Sequence, residues 1–245
     1  MGFNPLDHVT QQDIQELGLT PFDLLTARQP SGGGVYHCRG AEGMGKTLWG
    51  SHFYRYLVDS GRITPLNSYG NLTFKGKYGD GFTVLKGETL HEFLWDLTHK
   101  PYRNKFVFID EIDSEFPARF FSSKTQTEIA LRMWHTNKLN NYIVMTSHIG
   151  NSTDLIFSLA SHYVILPDRP NLENNTLDFT FINNLELWHD DFTATDIYKT
   201  MLIYNRKELT EDSGEEQSKK YTKKKAVIIE DNGLDDLDLE KELDL

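Results

Sequence analysis

Gly40-Ala41-Glu42-Gly43-Met44-Gly45-Lys46-Thr47 (GAEGMGKT, residues 40–47) lies between an apolar strand-like run, VYHCR (35–39), and a helical pattern over 46–60 that Gly61 closes. In that context the eight residues read as a phosphate loop. Its glycines let backbone N–H groups turn inward around phosphates, and the helix that follows adds the positive end of its dipole. Lys46 is expected to reach the β- and γ-phosphates of ATP, and Thr47 to give its hydroxyl to Mg2+.

The next informative stretch is KFVFIDE, an apolar strand over 105–110 with Asp110 and Glu111 at its end. In a parallel sheet the C-terminal strand ends share one edge, which brings Asp110 beside the phosphate loop as a magnesium ligand. Glu111 is then placed to orient and deprotonate the attacking water. YIVMTSH (142–148) is the following core strand, and of Thr146, Ser147 and His148 at its end, His148 is the candidate sensor of the γ-phosphate, unless it only caps the strand. Transition-state charge also calls for an arginine, often from a neighbouring subunit. Arg119 in EFPARFF and Arg132 in ALRMW are the candidates, each otherwise an ordinary surface or packing residue. The nine histidines have no tight metal-ligand spacing that would indicate zinc.

Between these motifs short apolar runs alternate with helical patterns, which predicts an α/β fold on a mostly parallel sheet. Helices are expected over 89–97 and 125–139, with Thr89/Glu92 and Thr125/Glu128 as capping boxes, and near 154–160. Short strands are expected near 63–67 and over 162–167, and 71–82 reads as a glycine-rich loop or irregular strand pair. Past Pro170, LDFTFI, Asn183-Asn184 and LELWH read as a hairpin, and 194–204 as a closing helix. The expected organisation is a lead-in over 1–34, with a helical pattern at 7–17 and a PSGGG connector, an ATPase domain over 35–210, and a disordered charged tail over 211–245.

With 245 residues, 38% of them hydrophobic, the chain can bury one full core. No purely apolar run exceeds four residues, against about 20 for a membrane-spanning helix, so no span is expected. The first ten residues carry no targeting pattern, and Leu6 stands where a myristoylation signal needs Ser or Thr. Cys38, the single cysteine, fits a reducing compartment and a buried structural role. These features point to the cytoplasm, or to a host cytoplasm or virion for a viral protein. Net charge is −11, of which the tail's 12 acids and six lysines give −6. An acidic total argues against a nonspecific coat for nucleic acid, while a motor can confine basic residues to a channel, so charge alone does not decide the partner. In the tail, the lysines of 219–225 precede Leu234, Leu237, Leu239, Leu243 and Leu245, a composition that suits a solvated tail that only aids solubility, or else, by the leucine spacing, a helical face that docks on a capsid or replication protein while the lysines touch DNA.

Taken in order, GAEGMGKT, FVFIDEIDSEFPARFFSS and YIVMTSHIGNSTDLIFSLASHYVIL resemble the FtsK and HerA superfamily of DNA-pumping ATPases, and within it the zonula occludens toxin-like and archaeal-virus genome-packaging branch. The resemblance covers about residues 35–167. It implies a RecA-like core of the additional-strand, catalytic-glutamate type, assembled as a homo-oligomeric ring around double-stranded DNA and driven by ATP. The family commonly ends its sensor strand in Gln, where this chain has His148, and often carries an arginine after it, where NSTDLIFSLASH has none. Two other functions share this chemistry: an AAA-type replication initiator or helicase loader, for which the expected helical lid is missing, and a nucleotide-dependent scaffold, which has little use for Glu111.

Overall fold

Strands that read as unbroken apolar runs belong where both faces of a sheet are covered. In the computed structural model, which describes residues 16, 19–27, 33–116, 124–149, 157–184 and 187–204, 106–109 and 142–147 lie there, parallel and adjacent, with every position buried. In chain order the elements are α1 (Pro21–Ala27), β1 (Gly34–Arg39), α2 (Lys46–Asp59), β2 (Ser68–Gly70), β3 (Thr83–Val84), α3 (Glu88–His99), β4 (Phe106–Ile109), α4 (Ile112–Glu115), α5 (Lys124–Met133), β5 (Tyr142–Ser147), β6 (Tyr163–Pro167), β7 (Thr176–Asn183), β8 (Trp188–Thr195) and α6 (Ile197–Ile203). Among the described residues they form one eight-stranded sheet, ordered β3-β2-β4-β5-β1-β6-β7-β8. Every pairing from β3 to β6 is parallel, while β7 and β8 are added antiparallel beyond β6. Strand β5 separates β1 from β4, the insertion expected of the additional-strand type.

Period-two alternation divides the central side chains between two helical layers. Phe106, Phe108 and Val144 face α2, where Tyr54 stacks on Phe106 at 4.6 Å between ring centroids. Val107, Ile109, Ile143 and Met145 face the other way, into a core with Leu90, Leu94 and Leu97 of α3 and Ile129 and Met133 of α5. The segment expected as a lead-in contributes α1 to the first layer. Phe22, 1% exposed, packs its ring against Trp49, Phe53 and Phe179 at 5.4 to 6.2 Å.

Several boundaries differ from expectation. The strand near 63–67 arrives later, as β2, because Pro65 fixes its own φ and opens a 3-10 turn over Pro65–Asn67. Thr89 lies inside the first turn of α3, and its hydroxyl donates to Lys86 O at 2.8 Å, so the Thr89/Glu92 capping box does not form. The helix expected through 139 stops at Met133 and gives way to a 3-10 turn, Thr136–Leu139, which ends on Asn140 in the left-handed region. Strand β8 runs over Trp188–Thr195, later than the expected 185–189, and the closing helix starts at Ile197. Phe192 and Ala194, 3% and 1% exposed, continue the inward alternation that keeps this segment extended. The expected helix over 7–17 beyond Glu16, residues 30–32 of the connector, the start of the 154–160 helix, Arg119 and the 211–245 tail lie outside the described residues. No helix among the described residues is long and apolar enough to cross a membrane.

Helix α2 approaches the sheet most closely at Gly50, where an added Cβ would lie 2.5 Å from Phe108 Cζ and 3.0 Å from Val144 Cγ1. Alanine would favour the helix by about 1 kcal/mol, but overpacking a fully buried ring costs about 1–3 kcal/mol. Overlap should win: Gly50→Ala is expected to lower stability by up to about 2 kcal/mol net, read as a lower denaturant midpoint at unchanged slope.

Candidate functional site

The turn between β1 and α2 is set by its glycines. Gly45 is the N-cap of α2 and has φ 77, a left-handed value that disfavours any Cβ. An added Cβ there would also lie 2.9 Å from Leu177 Cδ1 and 3.2 Å from Asp168 O. The first turn of α2 leaves N–H groups without partners inside the helix, the usual donors to an anion. Lys46, 8% exposed, turns its Nζ back to donate to Gly40 O at 2.9 Å and Ala41 O at 3.0 Å. Burial pulls its ammonium below the ordinary lysine value, and the carboxylates of Asp110, Glu111 and Asp113 push it back up. Ala41, Glu42 and Gly43 stand exposed at the rim and Met44 is half-buried.

Asp110 follows β4 and is fully buried. Thr47 Oγ1 lies 3.0 Å from both of its carboxylate oxygens and donates to them, joining the glycine loop to the acidic strand across the intervening β5. Thr146 of β5 donates to Asp110 Oδ1 at 2.7 Å, and the same hydroxyl accepts the Glu111 N–H at 2.8 Å. Asn71, just after β2, pairs with the Asp110 backbone on both sides at 2.8 Å. Burial pushes the Asp110 carboxyl up to about 6, against the lowering effect of the two threonine hydroxyls. Glu111 is half-buried in the left-handed region, φ 50 and ψ 59, a conformation that costs a non-glycine residue on the order of 1 kcal/mol and aims it away from the strand direction.

The expected sensor behaves differently from its neighbour. His148 donates its backbone N–H to Asp113 Oδ2 at 3.2 Å and sets Nδ1 3.3 Å from the same oxygen, with its side chain 45% exposed. Thr146 is therefore the residue of that strand end that touches Asp110. The sequence names Thr146 among the strand-end residues without singling it out, and Asn71 not at all. The signal for Thr146 was a polar residue inside an apolar run, and its partner emerges only from the register Ile109↔Met145, which sets Asp110 opposite Thr146. Arg132 pairs with Glu128 one turn earlier on α5, at 2.9 Å. Cys38 is buried beside the loop, and burial raises its thiol well above the ordinary value.

Among the described residues no group of three His, Cys, Asp or Glu could cage a metal. One carboxylate and one hydroxyl in contact fit an ion that brings phosphate oxygens with it, which is how magnesium is usually held. A glycine loop between β1 and α2, an acid at the end of β4 and one strand between them make this a RecA-like P-loop NTPase fold of the additional-strand type.

No protein-family model matches the chain, and no curated protein matches it. Among solved structures it is similar to B204, the DNA-packaging ATPase from Sulfolobus turreted icosahedral virus, at 12% identity, covering 67% of this chain and 98% of that one with TM-score 0.47. A second is the N-terminal domain of zonular occludens toxin from Neisseria meningitidis, at 12% identity, 71% and 99% coverage and TM-score 0.45. A third is the flagellar accessory protein FlaH from Methanocaldococcus jannaschii, at 11% identity, 67% and 84% coverage and TM-score 0.43. The first two are of the branch that the sequence resembles. At such identities no residue's role passes from those proteins to this chain.

The raised Asp110 value has a sign that can be tested. Its folded-state value of about 6 exceeds the ordinary 3.8, so the stabilising contribution of the protonated form is full below about 3.8 and is lost as pH rises through about 6. The ionised form then costs the nucleotide-free protein on the order of 3 kcal/mol. Asp110→Asn is expected to be more stable than the parent at pH 7.5 by about 1–3 kcal/mol, with the difference gone by about pH 4, as measured by denaturant unfolding at the two pH values.

Proposed function

We propose that this chain hydrolyses ATP and that it works as a ring-forming motor on duplex DNA, in the manner of a viral genome-packaging ATPase. The hydrolytic part rests on one observation: a fully buried carboxylate, Asp110, held against the Thr47 hydroxyl of the glycine loop, with Glu111 next to it on the chain. The motor part is supported by the order of the three sequence motifs. Among the described residues a hairpin and a short helix follow β6 in place of a helical lid, which disfavours an AAA-type initiator or loader.

Each residue then has a task. The N–H groups of the loop and of the first α2 turn bind the phosphates. Lys46 exchanges two neutral carbonyl acceptors for anionic phosphate oxygens, so that its ammonium meets an opposite charge. Thr47 and Asp110 would hold magnesium, which neutralises charge on the phosphate oxygens. Glu111 takes a proton from the water that attacks the terminal phosphorus, ADP leaving as the bridging bond breaks. Thr146 steadies both acids through its donor and its acceptor side. His148 remains a candidate sensor, through its contact with Asp113.

Separate variants should divide these tasks. Lys46→Ala is expected to lose tight ATP binding, whereas Glu111→Gln keeps binding and loses turnover by at least about 10²-fold. Equilibrium binding of a fluorescent nucleotide beside phosphate release distinguishes them, and normal hydrolysis by the Glu111→Gln protein would sink the assignment of the base.

Assembly and DNA are tested together. Turnover per chain is expected to rise with protein concentration and with duplex DNA of any sequence, the latter effect fading as salt increases. Arg119→Ala or Arg132→Ala should lose turnover, keep ATP binding and recover partly when mixed with Glu111→Gln. For Arg132 the lost Glu128 pair is a solvent-screened one on a single helix face, too weak to explain inactivity. Activity of a monomer that ignores both concentration and DNA would favour a scaffold.

A further inference from the structure

Past Ile109 the backbone leaves β4 and turns into α4, so the strand ladder no longer fixes the two residues on which the chemistry depends. Asn71 supplies what the ladder does not. It follows Gly70, the partner of Phe108, and its own N–H donates to Phe108 O at 3.2 Å. From there its side chain donates Nδ2–H to Asp110 O and accepts the Asp110 N–H on Oδ1, both at 2.8 Å. Only an amide offers a donor and an acceptor side by side at this reach; an aspartate could accept and not donate.

The amide is itself held. Asn71 Nδ2 also donates to Glu115 Oε1 at 3.2 Å, and Glu115 Oε2 accepts the N–H of Gly87 at the start of α3, also at 3.2 Å. The carbonyl of Glu115 accepts the ring N–H of His91, 2.9 Å away on α3. These bonds tie the ends of β2 and β4 to α4 and to the first turns of α3.

We infer that Asn71 is a positioning residue for hydrolysis: it fixes the backbone at Asp110, and with it the direction of the Asp110 carboxylate and of Glu111, while Glu115 holds Asn71 in that pose. This rests on the ATPase reading of the site. Partners that orient a ligand without touching the metal typically contribute about 10–100-fold to affinity or rate.

The test uses the full chain and three readouts: ATP turnover, binding of a fluorescent nucleotide, and Mn2+ affinity by paramagnetic resonance in the presence of a non-hydrolysable ATP analogue. Asn71→Ala is expected to bind nucleotide within about 3-fold of the parent, to lose kcat by about 10–100-fold and to bind Mn2+ about 10-fold more weakly. Glu115→Gln, which keeps an acceptor for Asn71, should retain most of the rate. Glu115→Ala should fall part of the way and add nothing on top of Asn71→Ala. Should Asn71→Ala fail to fold, Asn71→Asp, which keeps the acceptor and loses both donations, is expected to give the same pattern. Unchanged kcat and Mn2+ affinity in the folded variant overturns the inference, as does a rate loss matched by lost folded protein with Mn2+ affinity intact. A parent protein that binds Mn2+ and the analogue but never turns ATP over overturns the ATPase reading itself, and is recognised before any variant is made.

Discussion

A carboxylate without solvent contact is the constraint around which this molecule is arranged. Asp110 is completely buried, and its charge is tolerated because two hydroxyls from different elements, Thr47 and Thr146, point hydrogens at it. Even so its proton leaves only near pH 6, which means that the hydrogen bonds fall short of the desolvation they oppose. A cation would close that gap. The unbalanced desolvation is localised at the meeting point of the glycine loop and the end of β4.

The surrounding elements can be described by what they deliver to that carboxylate. Helix α2 brings Thr47 from the loop side, β5 brings Thr146 from between the two key strands, and β2 brings Asn71 from the far side. Parallel pairing makes this convergence possible, since all three sheet strands end at the same edge. The close approach of α2 over Gly50 and the aromatic layer around Phe22 and Trp49 hold the loop-bearing helix to the sheet. Antiparallel β7 and β8 extend the sheet beyond β6, where Leu177 reaches the loop at Gly45.

Much of this was legible in the sequence, for a physical reason. The glycine loop and the apolar strand ending in Asp110-Glu111 are chemistries that tolerate few other residue types, and each carries its own flanking pattern. Thr146 was not legible as an Asp110 ligand, because that contact depends on which strands are neighbours and in what register, and the two residues are 36 apart in the chain. Asn71 was harder still: it follows a three-residue strand that emerges from a 3-10 turn, too short for any periodicity to announce it. Helix and hairpin limits went astray where local patterns had two extended or helical continuations, as at Ala194, and burial against the sheet decided between them. Thr89 had the spacing of a cap, yet the chain began its helix one residue earlier.

Gly45 shows how two independent restraints can make one position irreplaceable. Space around its Cα is limited by Leu177 of the hairpin and by the Asp168 carbonyl, while its φ of 77 is a matter of the residue's own backbone. Trimming Leu177 would create room for a methyl and leave the backbone penalty and the carbonyl contact untouched. In a genetic screen, a loss-of-function change at Gly45 should accordingly yield true revertants and no intragenic suppressor at Leu177.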